Sequence, residues 1–322
     1  MMRSVPQQGM AGGVLLVALA YFVIQSAAFP FEMRPDEYKA VDTYVGWLSG
    51  DVVRSTEAFT RLLLLITNLS ITFVLYRLRL INIQTLVIAA LWPMTIFLFS
   101  KIYWEFFVFP FCLVRHDLTV RGELAFIGAL AALLAMTGEA NLAVLIMFRM
   151  VLAGQKGGFP ILAPLAFAGA GVLISVAMDA GVGANLPFIG SHVARFSWTR
   201  DVVNPEYSVF ETVAIFMTSF HFFTLHTGLW MIDAAFSILV VISILCFAGS
   251  FQRLRANWVP ILAFACVLYG LTEVTHAFQN ARYFFFYLPL IASIAPPASW
   301  PIVGGLGIAH VVFKAAEAIW YG

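Results

Sequence analysis

The chain has 322 residues, of which 61% are hydrophobic and only 11% charged, with a mean hydropathy of +0.91 and a formal net charge of +1. That is too little polar side chain to cover a water-soluble globule, and the near-neutral balance gives no electrostatic ground for binding nucleic acid. In lipid every backbone polar group must be paired internally, and long apolar runs in place of short alternating ones select helices over a barrel. The expectation is an all-α, polytopic transmembrane bundle of about 10–11 helices, forming one integral-membrane domain over residues 1–322.

A spanning helix needs about 20 apolar residues. By that measure the clearest spans cover about 12–31, 58–76, 81–100, 159–178, 228–248, 257–275 and 302–320. Four shorter or interrupted runs lie near about 102–114, 122–136, 140–154 and 283–298, too short to cross squarely unless flanking residues extend them. The first run follows Arg3 and ends at Ser26-Ala27-Ala28, which resembles a cleavable leader; its length favours a retained helix. The stretch from Val209 to Trp230 reads as an interfacial or re-entrant helix carrying Glu211, His221 and His226 near the headgroups. Tyr103-Trp104-Glu105-Phe106-Phe107 and Tyr283-Phe284-Phe285-Phe286-Tyr287 have the composition of interfacial aromatic belts.

Total Lys and Arg counts do not orient the chain, because the two sides divide them almost evenly. Loop length does. Arg77/Arg79, Arg115/Arg121, Lys156 and Arg253/Arg255 occupy short connections, where the positive-inside bias acts. A cytoplasmic N-terminus follows, with the loops after the first span and after Asp179 outside. Cys112, Cys246 and Cys266 fall in apolar segments without metal-ligand spacing and read as packing residues.

The first outer loop carries Phe31-Glu32-Met33-Arg34-Pro35-Asp36-Glu37-Tyr38, a concentration of charge in a chain with little of it. Asp36 and Glu37 are candidates for a general base at the membrane surface. Lys101 and Glu105 are four residues apart and share one face if helical, which places them near the outer boundary; Arg61 lies about one turn inside the second span. The run His276-Ala277-Phe278-Gln279-Asn280-Ala281-Arg282-Tyr283 packs His276, Gln279, Asn280 and Arg282 into seven positions. Arg has a planar donor fork suited to phosphate oxygens, and amide or imidazole groups suit sugar hydroxyls. The long outer loop adds Arg195 and Arg200 beside Trp198 and Tyr207, a combination common in carbohydrate sites and in ordinary amphipathic loops alike.

Several chemistries have no support. His221 and His226 are five residues apart, not the four of a helical zinc pair, and the chain has no phosphate-binding loop, nucleophile elbow or dinucleotide fingerprint. No cofactor is expected, although a divalent metal is left open. Asp233 and Glu273 fall in or near spans but stand alone, without the paired broken helices of secondary transporters.

Three features together resemble the integral-membrane polysaccharide polymerases of the Wzy and EpsG-like group, and more broadly the GT-C glycosyltransferases that use lipid-linked sugars. These are Pro35-Asp36-Glu37-Tyr38 in the first outer loop, Ser100-Lys101-Ile102-Tyr103-Trp104-Glu105 before a short aromatic-rich span, and Asn280-Ala281-Arg282-Tyr283 opening a late one. The resemblance implies a GT-C-like bundle in the cytoplasmic (inner) membrane, transferring a glycan from a polyprenyl-pyrophosphate carrier onto a lipid-linked acceptor at the extracytoplasmic face. Asp36 or Glu37 would be the base, with Glu105 in reserve; Arg282, Lys101 and Arg61 would hold the pyrophosphate. Its partners would be the lipid-linked glycan, membrane lipids and polysaccharide export or assembly proteins. The rival reading is a transporter or flippase, or a non-catalytic assembly subunit, whose outer charges only solvate loops.

Overall fold

The computed structural model describes residues 57–92, 105–137, 140–182, 208–219, 230–275 and 285–321. Regular structure among them is helical, with no strand among the described residues, as the demand for internal backbone pairing in lipid requires. In chain order the helices are α1 (Glu57–Arg77), α2 (Ile83–Leu91), α3 (Glu105–Cys112), α4 (Val120–Thr137), α5 (Ala140–Lys156) and α6 (Leu162–Asp179), followed by α7 (Val209–Ser219), α8 (Trp230–Leu245), α9 (Ser250–Ala256), α10 (Trp258–Thr275), α11 (Leu288–Ile294) and α12 (Trp300–Tyr321).

Three of these, α4, α6 and α10, are each long and apolar enough to cross a membrane unaided. The number rises to five if two bent pairs each count as one span: Ala234–Leu245 with Ser250–Ala256, bent by 94°, and Phe285–Ile294 with Pro297–His310, bent by 111°. This is a multi-pass helical membrane protein.

Two elements differ from the lengths expected of them. The short run at 122–136 is a full 18-residue helix, because it starts earlier: Thr119 accepts the Gly122 N–H on its side chain (3.2 Å) and the Glu123 N–H on its carbonyl (2.8 Å). Within the continuous span expected at 81–100, the helix is described over Ile83–Leu91 and breaks at Trp92, whose backbone is extended (φ −85°, ψ 117°); 93–100 lie outside the described residues. Pro93 follows it, and the clash between a proline ring and the preceding residue expels that residue from helical geometry.

Contacts group the chain into two units: Met1–Arg115 with Leu239–Ser250 and Phe285–Gly322, and His116–Ile238 with Phe251–Phe284. In the first unit α1 packs on α3, and α2 packs on α11 and α12. α1 ends in a Schellman motif, with Leu80 N–H donating to the Leu75 carbonyl and Arg79 N–H to that of Tyr76, both at 2.9 Å. Arg79 takes the left-handed position (φ 59°) usually given to glycine. The core of this unit is aromatic. Phe109 meets Phe285 edge-on at 5.2 Å, and the indole N–H of buried Trp92 donates to the Tyr287 hydroxyl at 2.9 Å.

In the second unit α10 packs on α5, α6 and α7, and α4 forms a hairpin with α5. The α6–α10 crossing is very close: a Cβ on Gly171 would come within 2.6 Å of the Gly270 Cα and 2.8 Å of its carbonyl carbon. Small residues are what allow two backbones to approach so far, and in lipid such close packing is a main source of helix association.

Candidate functional site

Most residues expected to form a site lie outside the described residues: Asp36, Glu37, Lys101, Arg195, Arg200, His276, Gln279, Asn280 and Arg282. Two fall on described backbone. Arg61 is in the second turn of α1, and Glu105 is the first residue of α3. The Arg115 N–H donates to the Leu80 carbonyl at 2.9 Å, so the C-terminal ends of α1 and α3 lie together. Along the helix axes at 1.5 Å per residue, Glu105 stands about 11 Å from Cys112 and Arg61 about 24 Å from Arg77.

The charged cluster that the structure does bring together was not foreseen as a unit. Glu123 in the first turn of α4 is fully buried and faces two cations on α5. Arg149 Nη1 donates to its carboxylate oxygens at 3.3 and 3.4 Å, and Lys156 Nζ to Oε1 at 2.5 Å. Arg149 and Lys156 are seven residues apart, two helical turns, and therefore share a face. Lys156 Nζ also donates to the His116 carbonyl (2.6 Å), and the Arg149 guanidinium lies 5.0 Å from the Phe126 ring centroid. Glu123 and Arg149 are both 0% exposed and offer no surface to a substrate; Lys156 is 22% exposed. It staples the α4–α5 hairpin. The one trace of it in the sequence is Arg149 inside an apolar run, where a charge requires a partner.

The positions of the acids in the described segments are more informative about function. Glu57 and Glu105 begin their helices; Asp117 lies in a connection; Glu123, Glu211 and Asp233 fall in first turns; Asp179 and Glu273 fall in last turns; and Glu317 is four residues before the end of α12. None of these described carboxylates occupies the middle of a long helix. Among the described residues no group of three His, Cys, Asp or Glu is arranged to hold a metal ion. Comparison with known proteins found no matching family model, no matching curated protein and no matching solved structure.

Proposed function

We propose that the chain is a membrane glycosyltransferase of GT-C-like architecture, moving a glycan from a polyprenyl-pyrophosphate carrier to a lipid-linked acceptor at the extracytoplasmic face. The observation that carries this reading is the placement of described carboxylates at helix ends and in connections. A transporter that couples proton or ion movement to substrate translocation needs ionisable groups near the bilayer midplane, along the path. A transferase acting on membrane-anchored sugars needs them at the membrane surface, beside water and headgroups. The outer-loop pair Asp36 and Glu37 supplies such a base, and Arg282 beside an aromatic helix end supplies a donor fork for the leaving pyrophosphate. Glu105, the first residue of α3, is the reserve candidate for the base. The first test is incubation of the purified chain with a panel of lipid-pyrophosphate oligosaccharides. Lengthened products support the reading. If no panel member is processed while vesicles containing the chain move a lipid-linked glycan across the bilayer, the flippase reading replaces it.

A further inference from the structure

We infer that the corner joining α9 to α10, together with the α5–α6 turn, is a binding surface for anionic phospholipid headgroups. Two hydrogen bonds bring these segments to one rim of the second unit. The Gln155 side-chain N–H₂ donates to the Pro160 carbonyl in the α5–α6 turn (2.9 Å) and to the Val259 carbonyl at the start of α10 (3.0 Å), and Gln155 itself is only 4% exposed. The Lys156–Glu123 ion pair brings the start of α4 to the same rim.

Around it the exposed side chains are of two kinds. Phe251, Trp258, Phe159 and Ile161 are exposed large apolar groups, a composition suited to the boundary between headgroup and acyl chain. Arg121, Arg253 and Arg255 are exposed cations, none with an ion-pair partner among the described residues. Glu123, the nearby acid of α4, does not neutralise them, being buried against Arg149 and Lys156. Asn257 closes the C-terminal end of α9, since its side chain donates to the Arg253 carbonyl (2.8 Å) and its backbone N–H reaches the Arg253 and Leu254 carbonyls. Apolar side chains that seat in the interface beside unpaired cations are complementary to an anionic lipid layer.

The test uses the full chain with its native cysteines replaced and a single fluorophore attached at position 252, reconstituted in nanodiscs containing either brominated phosphatidylglycerol or brominated phosphatidylcholine at equal mole fraction. Phosphatidylglycerol should quench more strongly, and the excess should shrink with salt. Each arginine near a charged membrane surface is worth about a fivefold enrichment, so Arg253→Gln with Arg255→Gln should lower the excess by about thirtyfold, leaving only the contribution of Arg121. Arg253→Lys with Arg255→Lys should keep most of it, which separates charge from local unfolding. Equal quenching by the two lipids, or an excess unmoved by the double Gln variant, overturns the inference. So does loss of the excess on adding inorganic phosphate at constant ionic strength, which would mark an aqueous phosphate site.

Discussion

Glu123 shows what a single charge can do in an apolar protein. Replacing it with Gln leaves Arg149 buried and Lys156 partly buried with no carboxylate between them, and breaking a buried pair in this way costs about 3–5 kcal/mol. Glu123→Gln should therefore lower the thermal unfolding midpoint in detergent sharply, and Lys156→Met, at a site 22% exposed, should lower it less. Equal midpoints for Glu123→Gln and the parent would show that the hairpin is held by packing alone. Gly171 is the steric counterpart. A methyl group there meets the backbone of Gly270, which cannot rotate away, so Gly171→Ala should destabilise by about 1–3 kcal/mol, whereas Gly169→Ala, with open space around it, should not. The same unfolding measurement separates the two. Neither site could be read from the sequence in full: Arg149 announced that a partner was needed, but which acid served it depended on how α4 folded back on α5. The pairing of Gly171 with Gly270 likewise exists only in the tertiary crossing.

At the scale of elements, the local rules account for most of what was legible. Helices over 162–179, 258–275 and 300–321 follow from long, mainly apolar runs, and their bounds lie close to the expected ones. Trp92 ends α2 early because of Pro93, a signal present in the sequence but outweighed there by the apolar run that continues past it. The first turn of α7 shows a capping box: the Ser208 N–H and hydroxyl donate to Glu211 Oε2 at 2.8 and 2.7 Å, and the Glu211 N–H donates back to the Ser208 hydroxyl at 3.3 Å. These bonds, first that from the Ser208 backbone, favour the ionised carboxylate and hold Glu211 below its ordinary 4.5. A depressed folded value means the cap's contribution is complete above 4.5 and fades as the pH falls through the lower folded value. Amide exchange at Ser208 and Glu211 should accelerate, beyond its intrinsic pH dependence, only in that acid range, and Glu211→Gln should abolish the extra acceleration. Protection that tracks the intrinsic dependence throughout would show that the cap does not rely on the charge.

For the whole molecule, composition alone established a helical membrane protein, because backbone pairing in lipid leaves few alternatives. Its orientation rests on basic residues in short connections. Single-cysteine labelling in a background lacking Cys112, Cys246 and Cys266 should modify position 36 from outside the membrane and position 78 from the cytoplasmic side; labelling of both from one side would contradict this topology. The candidate site was legible only as residue types, since the acid pair and the arginine motif are far apart in sequence and both lie outside the described residues. The most direct measurement is therefore chemical: turnover of a lipid-pyrophosphate oligosaccharide by the parent and by Asp36→Asn and Glu37→Gln variants, at equal amounts of folded protein. Loss of a positioned base costs about 10²–10⁴ in rate, so at least one variant should fall by that much while its unfolding midpoint stays at the parent value. Near-parent turnover in both would contradict the account.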